Sequence, residues 1–109
     1  MVDAKIGSVT GTTEEIIVEL GFKPSYVLLQ NLSTYDKLEY WDSIANGSGL
    51  ETEAAGADTA GIVALTTDGI TVYDSYYDDT TGVSYAEGFK ISADALINLD
   101  DVITYLAVR

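Results

Sequence analysis

Apolar and polar residues alternate with a two-residue period along most of this chain, and no helical period is sustained anywhere. Tyr26–Leu32 is apolar at nearly every position, with Val27 and Leu29 on one face and Tyr26, Leu28 and Leu32 on the other. Such a segment suits the middle of a sheet covered on both sides. Val102–Val108 has the same character: Val102, Thr104, Leu106 and Val108 face one way, and Ile103, Tyr105 and Ala107 the other. Glu14–Leu20 alternates more cleanly, with Ile16, Val18 and Leu20 opposite Glu15, Ile17 and Glu19, as in a half-buried strand with Ile17 stranded among acids. Residues 4–9 are a further strand candidate. Gly21-Phe22-Lys23-Pro24 holds the chain's only proline and turns the chain into Tyr26–Leu32, and Leu38–Trp41 is the return arm of a hairpin or of a sheet-switching corner. The first forty residues therefore predict an antiparallel meander.

Beyond Trp41 the pattern lapses. Ser43–Ala60 is rich in glycine and alanine and carries the turn dipeptides Asn46-Gly47 and Ser48-Gly49, so a long loop is expected at 43–60. It reads as a surface loop or as an arm ordered against a neighbouring subunit. Gly61–Leu65 reads as a short apolar strand, and Asp68-Gly69 is a hairpin signal flanked by Ile62–Leu65 and Ile70–Tyr73. Asp74–Tyr85 reads as an acidic, tyrosine-rich loop. Phe89 and Ile91 mark another strand, and Ala95–Leu99 with Val102–Val108 suggests a last hairpin around Asp100-Asp101. The 109 residues thus predict one all-β domain, an antiparallel β-sandwich of jelly-roll type with seven to nine short strands.

Composition narrows the chemistry. With no histidine and no cysteine, the chain lacks the commonest general base, Ser-His and Cys-His arrangements, thiolate metal sites and disulfides. No glycine-rich phosphate loop precedes a helix. About one residue in six is acidic, so pairs of carboxylates arise by chance on any strand surface. The expectation is a protein without catalysis and without a cofactor. Asp74, Asp78 and Asp79, with Glu87, could approach calcium, but the D-x-x-x-D-D spacing lacks the alternating ligands of a calcium loop. A solvated acidic loop is the simpler reading.

The net charge of −13 combines 18 acidic residues with five scattered basic ones. Contact with nucleic acid or with an anionic membrane needs clustered cations, so neither partner is expected. The start, MVDAKIGSVTG, has no basic region and no apolar run, so no signal peptide is expected. Asn31-Leu32-Ser33 and Asn46-Gly47-Ser48 match the glycosylation sequon and read as accidental. The tyrosines are more informative. There are eight, and Tyr73, Tyr76, Tyr77 and Tyr85 lie in or beside one loop, while Tyr35, Tyr40 and Trp41 lie near another. Rings with a polar tip suit protein interfaces and also stack on sugars, so these seven are the candidate contact residues. Tyr26 and Tyr105 lie inside apolar strands and read as ordinary cross-strand aromatics.

The order of features also carries a resemblance. A Thr-Gly-Thr start leads to a strand ending in Gly21-Phe22-Lys23-Pro24, and a Val-Leu-Leu-Gln-Asn strand is followed by an acidic residue and Trp41. Gly69-Ile70-Thr71, Gly88-Phe89-Lys90-Ile91, Ile97-Asn98 and Tyr105-Leu106-Ala107 complete it. Over about residues 8–108 this resembles small structural proteins of tailed bacteriophages, of the capsid decoration or cement kind. The resemblance implies a sandwich or jelly roll that sits on the outside of the capsid, in a virion assembled in the host bacterial cytoplasm. It implies the major capsid protein as partner, self-association as a homotrimer or alternatively a homodimer, and no catalytic residues. A carbohydrate- or receptor-binding module of a tail fibre and a head–tail or tail component are the alternative readings. Ile17 and the tyrosine loops are the surfaces expected to be covered by self-association.

Overall fold

The computed structural model of the chain describes residues 3–52, 62–92 and 101–109. Those residues form eleven strands: β1 Ala4–Thr10, β2 Ile16–Glu19, β3 Tyr26–Asn31, β4 Lys37–Trp41, β5 Gly49–Thr52, β6 Ile62–Leu65, β7 Ile70–Tyr73, β8 Tyr76–Asp78, β9 Val83–Tyr85, β10 Gly88–Ile91 and β11 Val102–Val108. No helix occurs among them, and every strand pairing among the described residues is antiparallel within a sandwich-like all-β domain. A six-stranded sheet has the order β1-β11-β3-β4-β5-β6, a three-stranded sheet the order β2-β10-β7, and β8 and β9 form a separate hairpin.

The core lies between the two larger sheets. Val27, Leu29, Leu38, Tyr40, Ile103, Tyr105 and Ala107 come from the large sheet, and Val18, Ile70, Val72, Phe89 and Ile91 from the small one. Register explains this division. Phe89 sits opposite both Val18 and Val72, and Ile91 opposite Ile16 and Ile70, so one parity of the small sheet is continuously apolar. Phe89 also meets Tyr105 edge to face, with ring centroids 5.4 Å apart. Gly7 makes room for Tyr105: a Cβ there would lie 2.5 Å from the phenol oxygen.

As expected, β3 and β11 are interior strands, β3 between β11 and β4, and β11 between β1 and β3. Several expectations are corrected. The first forty residues are not a meander, because β1 pairs with β11 and β2 joins the other sheet. Only β3 and β4 form the expected hairpin. Asp68-Gly69 is no hairpin turn either: β6 pairs with β5, whereas β7 pairs with β10, so this turn carries the chain from one layer to the other. The reason lies in the start of the stretch 43–60, whose backbone is bonded to β7 and the turn before it. Gly47 N–H donates to the Ile70 carbonyl, Gly69 N–H to the Gly47 carbonyl and Ile70 N–H to the Ser48 carbonyl, at 2.9–3.0 Å. The Asn46 amide completes the tie, donating to the Val72 carbonyl and accepting from its N–H at 3.0 and 2.8 Å. Residues 46–48 thus pin the edge of the small sheet, and β5 follows directly within the stretch 43–60. The left-handed backbone of Gly47, φ 88°, allows the turn. Ala95–Leu99, the expected partner of the last strand, lies outside the described residues, as do residues 53–60 of the expected loop.

Candidate interaction surface

The expected tyrosine loop at 74–85 is an ordered hairpin. Asp78 builds its turn: the carboxylate accepts from Thr80 N–H and Thr81 N–H at 2.9 and 3.3 Å, and its carbonyl from Gly82 N–H at 2.8 Å. Alternation then divides the tyrosines. Tyr76 stacks on its cross-strand partner Tyr85 at 5.1 Å and meets Tyr73 edge-on at 5.4 Å. Lys90, projecting from the outer face of the small sheet, places its ammonium 4.7 Å from the Tyr76 ring centre and 5.4 Å from that of Tyr73. Tyr77 has the opposite parity and is 60% exposed.

This hairpin therefore caps the small sheet. The Glu19 carboxylate accepts from Ala86 N–H at 2.9 Å, and the Glu87 carbonyl accepts from the Leu20 and Gly21 amides, fastening the hairpin's base. Burial pushes the Tyr73 phenol up to about 12, with the nearby Glu19 charge adding to it. Tyr73 is only 8% exposed, and so is no contact residue.

The second group of aromatics is dispersed. Tyr35 occupies the β3–β4 turn with a left-handed backbone, φ 67°, and is 71% exposed. Tyr40 points inward and is buried in the core, where burial and then the Asp42 charge raise its pKa. It is corrected from contact residue to core residue. Trp41 is half-buried on the outer face of β4, opposite Tyr26, and the length of β4, ~14 Å at about 3.4 Å per residue, separates it from Tyr35. Of the seven candidates, Tyr35 and Tyr77 stand free, Trp41, Tyr76 and Tyr85 are partly covered, and Tyr40 and Tyr73 are internal.

The acids serve local structure. Asp74 faces Lys23 at 3.6 Å in an exposed pair that contributes little to stability. Asp3 meets Arg109 at 2.6 Å where β1 begins and β11 ends. Among the described residues, no three acidic side chains converge on a point that could hold a metal ion.

Sequence reasoning missed one polar site. Asn31 is 1% exposed, and its amide donates to the Asp101 carboxyl at 2.8 Å while its carbonyl oxygen accepts from Ser33 and Thr34 N–H at 2.8 and 3.1 Å. The signal was present, since Asn31 shares the inward parity of Val27 and Leu29. Its burial also denies the first sequon to a glycan. An open cleft of about 400 Å³ lies at the far end of β4, lined by Lys23, Ser25, Tyr40, Asp42, Ile44 and Asn46 among others.

Comparison with known proteins identifies no relative: no family model, no curated protein and no solved structure matches this chain.

Proposed function

We propose that this chain is a non-enzymatic structural protein that decorates the outer capsid surface of a tailed bacteriophage and associates with itself there. The observation that carries the reading is the presentation of two unsupported aromatic rings, Tyr35 and Tyr77, on the turn or strand of separate hairpins fixed to a rigid β scaffold. An exposed ring costs little conformational entropy to immobilise, which suits a contact with a large flat partner such as the major capsid protein. The acidic exterior would govern encounter rate and salt dependence at the rim of that contact. Several copies bound to one shell would gain by effective concentration even if each contact were weak.

Tyr77 is the discriminating probe, because Tyr76 is occupied within the hairpin. Truncating a central aromatic anchor commonly costs ~2 kcal/mol, or about thirtyfold in affinity. Co-sedimentation with capsids should saturate for the unaltered protein and fall for Tyr77→Ala and Tyr35→Ala at equal concentration, with unchanged circular dichroism. Failure of the unaltered chain to co-sediment would overturn the reading. The cleft beside Lys23, Ser25, Asp42 and Asn46 favours a second reading, a carbohydrate- or receptor-binding module of a tail fibre, since it gathers these polar side chains in one open recess. Binding on a glycan array, lost on Asp42→Ala, would select that alternative.

A further inference from the structure

The small sheet has its hairpin cap, but the outer face of the large sheet has no such layer among the described residues. Register assembles this face row by row. Ile6, Leu106, Leu28, Glu39, Leu50 and Ala64 stand side by side across all six strands. Ala4, Val108, Tyr26 and Trp41 form the next row, and Ser8, Thr104, Gln30, Lys37 and Thr52 the row on the other side. Ile6 is 79% exposed and borders a shallow groove of about 170 Å³ with Leu28, Gln30, Thr104 and Leu106. Leu32 and Val102 lie side by side beyond the polar row, next to Thr10, and are 48% and 45% exposed. Three of the six exposed large hydrophobic residues among those described thus share one sheet face.

We infer that this face is the contact between two copies of the chain, packed sheet against sheet about a two-fold axis. Charge argues for a second copy. The chain carries −13, yet these rows hold only Lys37 and Glu39, which cancel. It is the surface on which two such acidic molecules can meet without repulsion, and an isologous contact can set Lys37 of each copy toward Glu39 of the other. A basic partner would instead be drawn to the acidic remainder. Glu39 is already held by the Tyr26 hydroxyl, which donates to it at 2.7 Å, so little ordering is left for binding.

Area argues the same way. Six strands spaced by about 4.8 Å span about 24 Å, and strand lengths of about 14–20 Å give a projected footprint of about 400 Å² per copy. A pair covers about 800 Å² in projection, and side-chain relief raises this past the ~1,000 Å² that a specific contact needs. Sheets packed in this way lie about 10 Å apart with their strands about 30° from parallel. The inference makes the self-association in the proposed function specific, and is independent of the capsid.

Sedimentation equilibrium of the purified chain at tens of micromolar, without capsids, tests it. The expected mass is twice the 11.6 kDa of one chain, and association should strengthen as salt screens the net charge. Ile6→Glu and Val102→Glu alter side chains that are already exposed, so circular dichroism should stay unchanged. Each places a carboxylate from both copies in the contact and should weaken association at least about tenfold. Tyr77→Ala should leave it unaltered. A monomer at that concentration, a trimer, or a dimer whose affinity neither glutamate variant changes would overturn the inference. A dimer that fails to bind capsids would leave it standing and overturn the decoration reading alone.

Discussion

Replacing Asn31 by alanine tests whether the polar pin beneath the β3–β4 turn holds the large sheet together. The change removes the amide bond to Asp101 and the acceptor for the Ser33 and Thr34 amides. A hydrogen bond to a charged group contributes about 1.5–3 kcal/mol and a neutral one about 1 kcal/mol. Ser33 is exposed and Thr34 half-exposed, so water can restore part of the loss at these amides. The Asp101 side is only 9% exposed and recovers little. The net expectation is a loss of about 3 kcal/mol in urea unfolding, and a fall of about 12 °C in Tm for a domain this size. Asn31→Asp gives a sharper check. It keeps the shape and the acceptor but faces Asp101 with a second carboxylate, so one of the two must hold its proton well above the usual carboxylate range. That raised folded-state pKa makes the deficit largest at neutral pH; it shrinks as the pH falls below the raised value and recovery is complete only at the unfolded carboxylate value of about 4. A loss below about 1 kcal/mol for the alanine variant, or no recovery of the aspartate variant on acidification, would refute the assignment.

Other substitutions probe the second sheet and its cap. Gly88→Ala would place a Cβ 1.9 Å from the Val18 carbonyl oxygen, a backbone clash that no rotamer relieves, so a loss of at least about 3 kcal/mol is expected in denaturant unfolding. Tyr76→Ala deletes two ring contacts and the nearest ring under Lys90, and should cost ~2 kcal/mol, read as faster amide exchange across β8 and β9. On the alkaline side, Tyr26 and Tyr73 are both pushed up to about 12, by burial first, and at Tyr26 next by its bond to Glu39. A raised folded-state pKa favours the neutral ring, so their contribution is complete below about pH 10 and is lost between there and pH 12. Ultraviolet titration should show three late tyrosines, Tyr26, Tyr73 and the likewise raised Tyr40, coinciding with loss of the β-sheet spectrum; Tyr26→Phe should remove one of them.

The two-residue period determined a good deal about this protein unaided. It marked eight of the eleven strands, missing β5 and the β8–β9 hairpin, put Val27 with Leu29 and Ile103 with Tyr105 and Ala107 on one face of their own strands, and placed β3 and β11 in the interior of a sheet, because side-chain parity is a local property of extended backbone. It also placed Tyr76 and Tyr77 on opposite faces as soon as their segment was known to be a strand. It did not determine which strands would pair. The union of β1 with β11 joins opposite ends of the chain, and Asp68-Gly69 has the composition of a hairpin turn while bridging two layers. Local composition is the same in either case; the difference lies in long-range contacts such as Gly47 with Ile70 and Asn46 with Val72. The fate of the aromatics was decided at the same level. Tyr40 and Tyr35 look alike in sequence, and only the closure of the second sheet over one face of the first buried Tyr40 and left Tyr35 in solvent. The apolar residues of β3 and β11 were legible on both faces, but that a single face would be covered within one chain followed from the three-stranded sheet having just one side of the larger sheet to pack against.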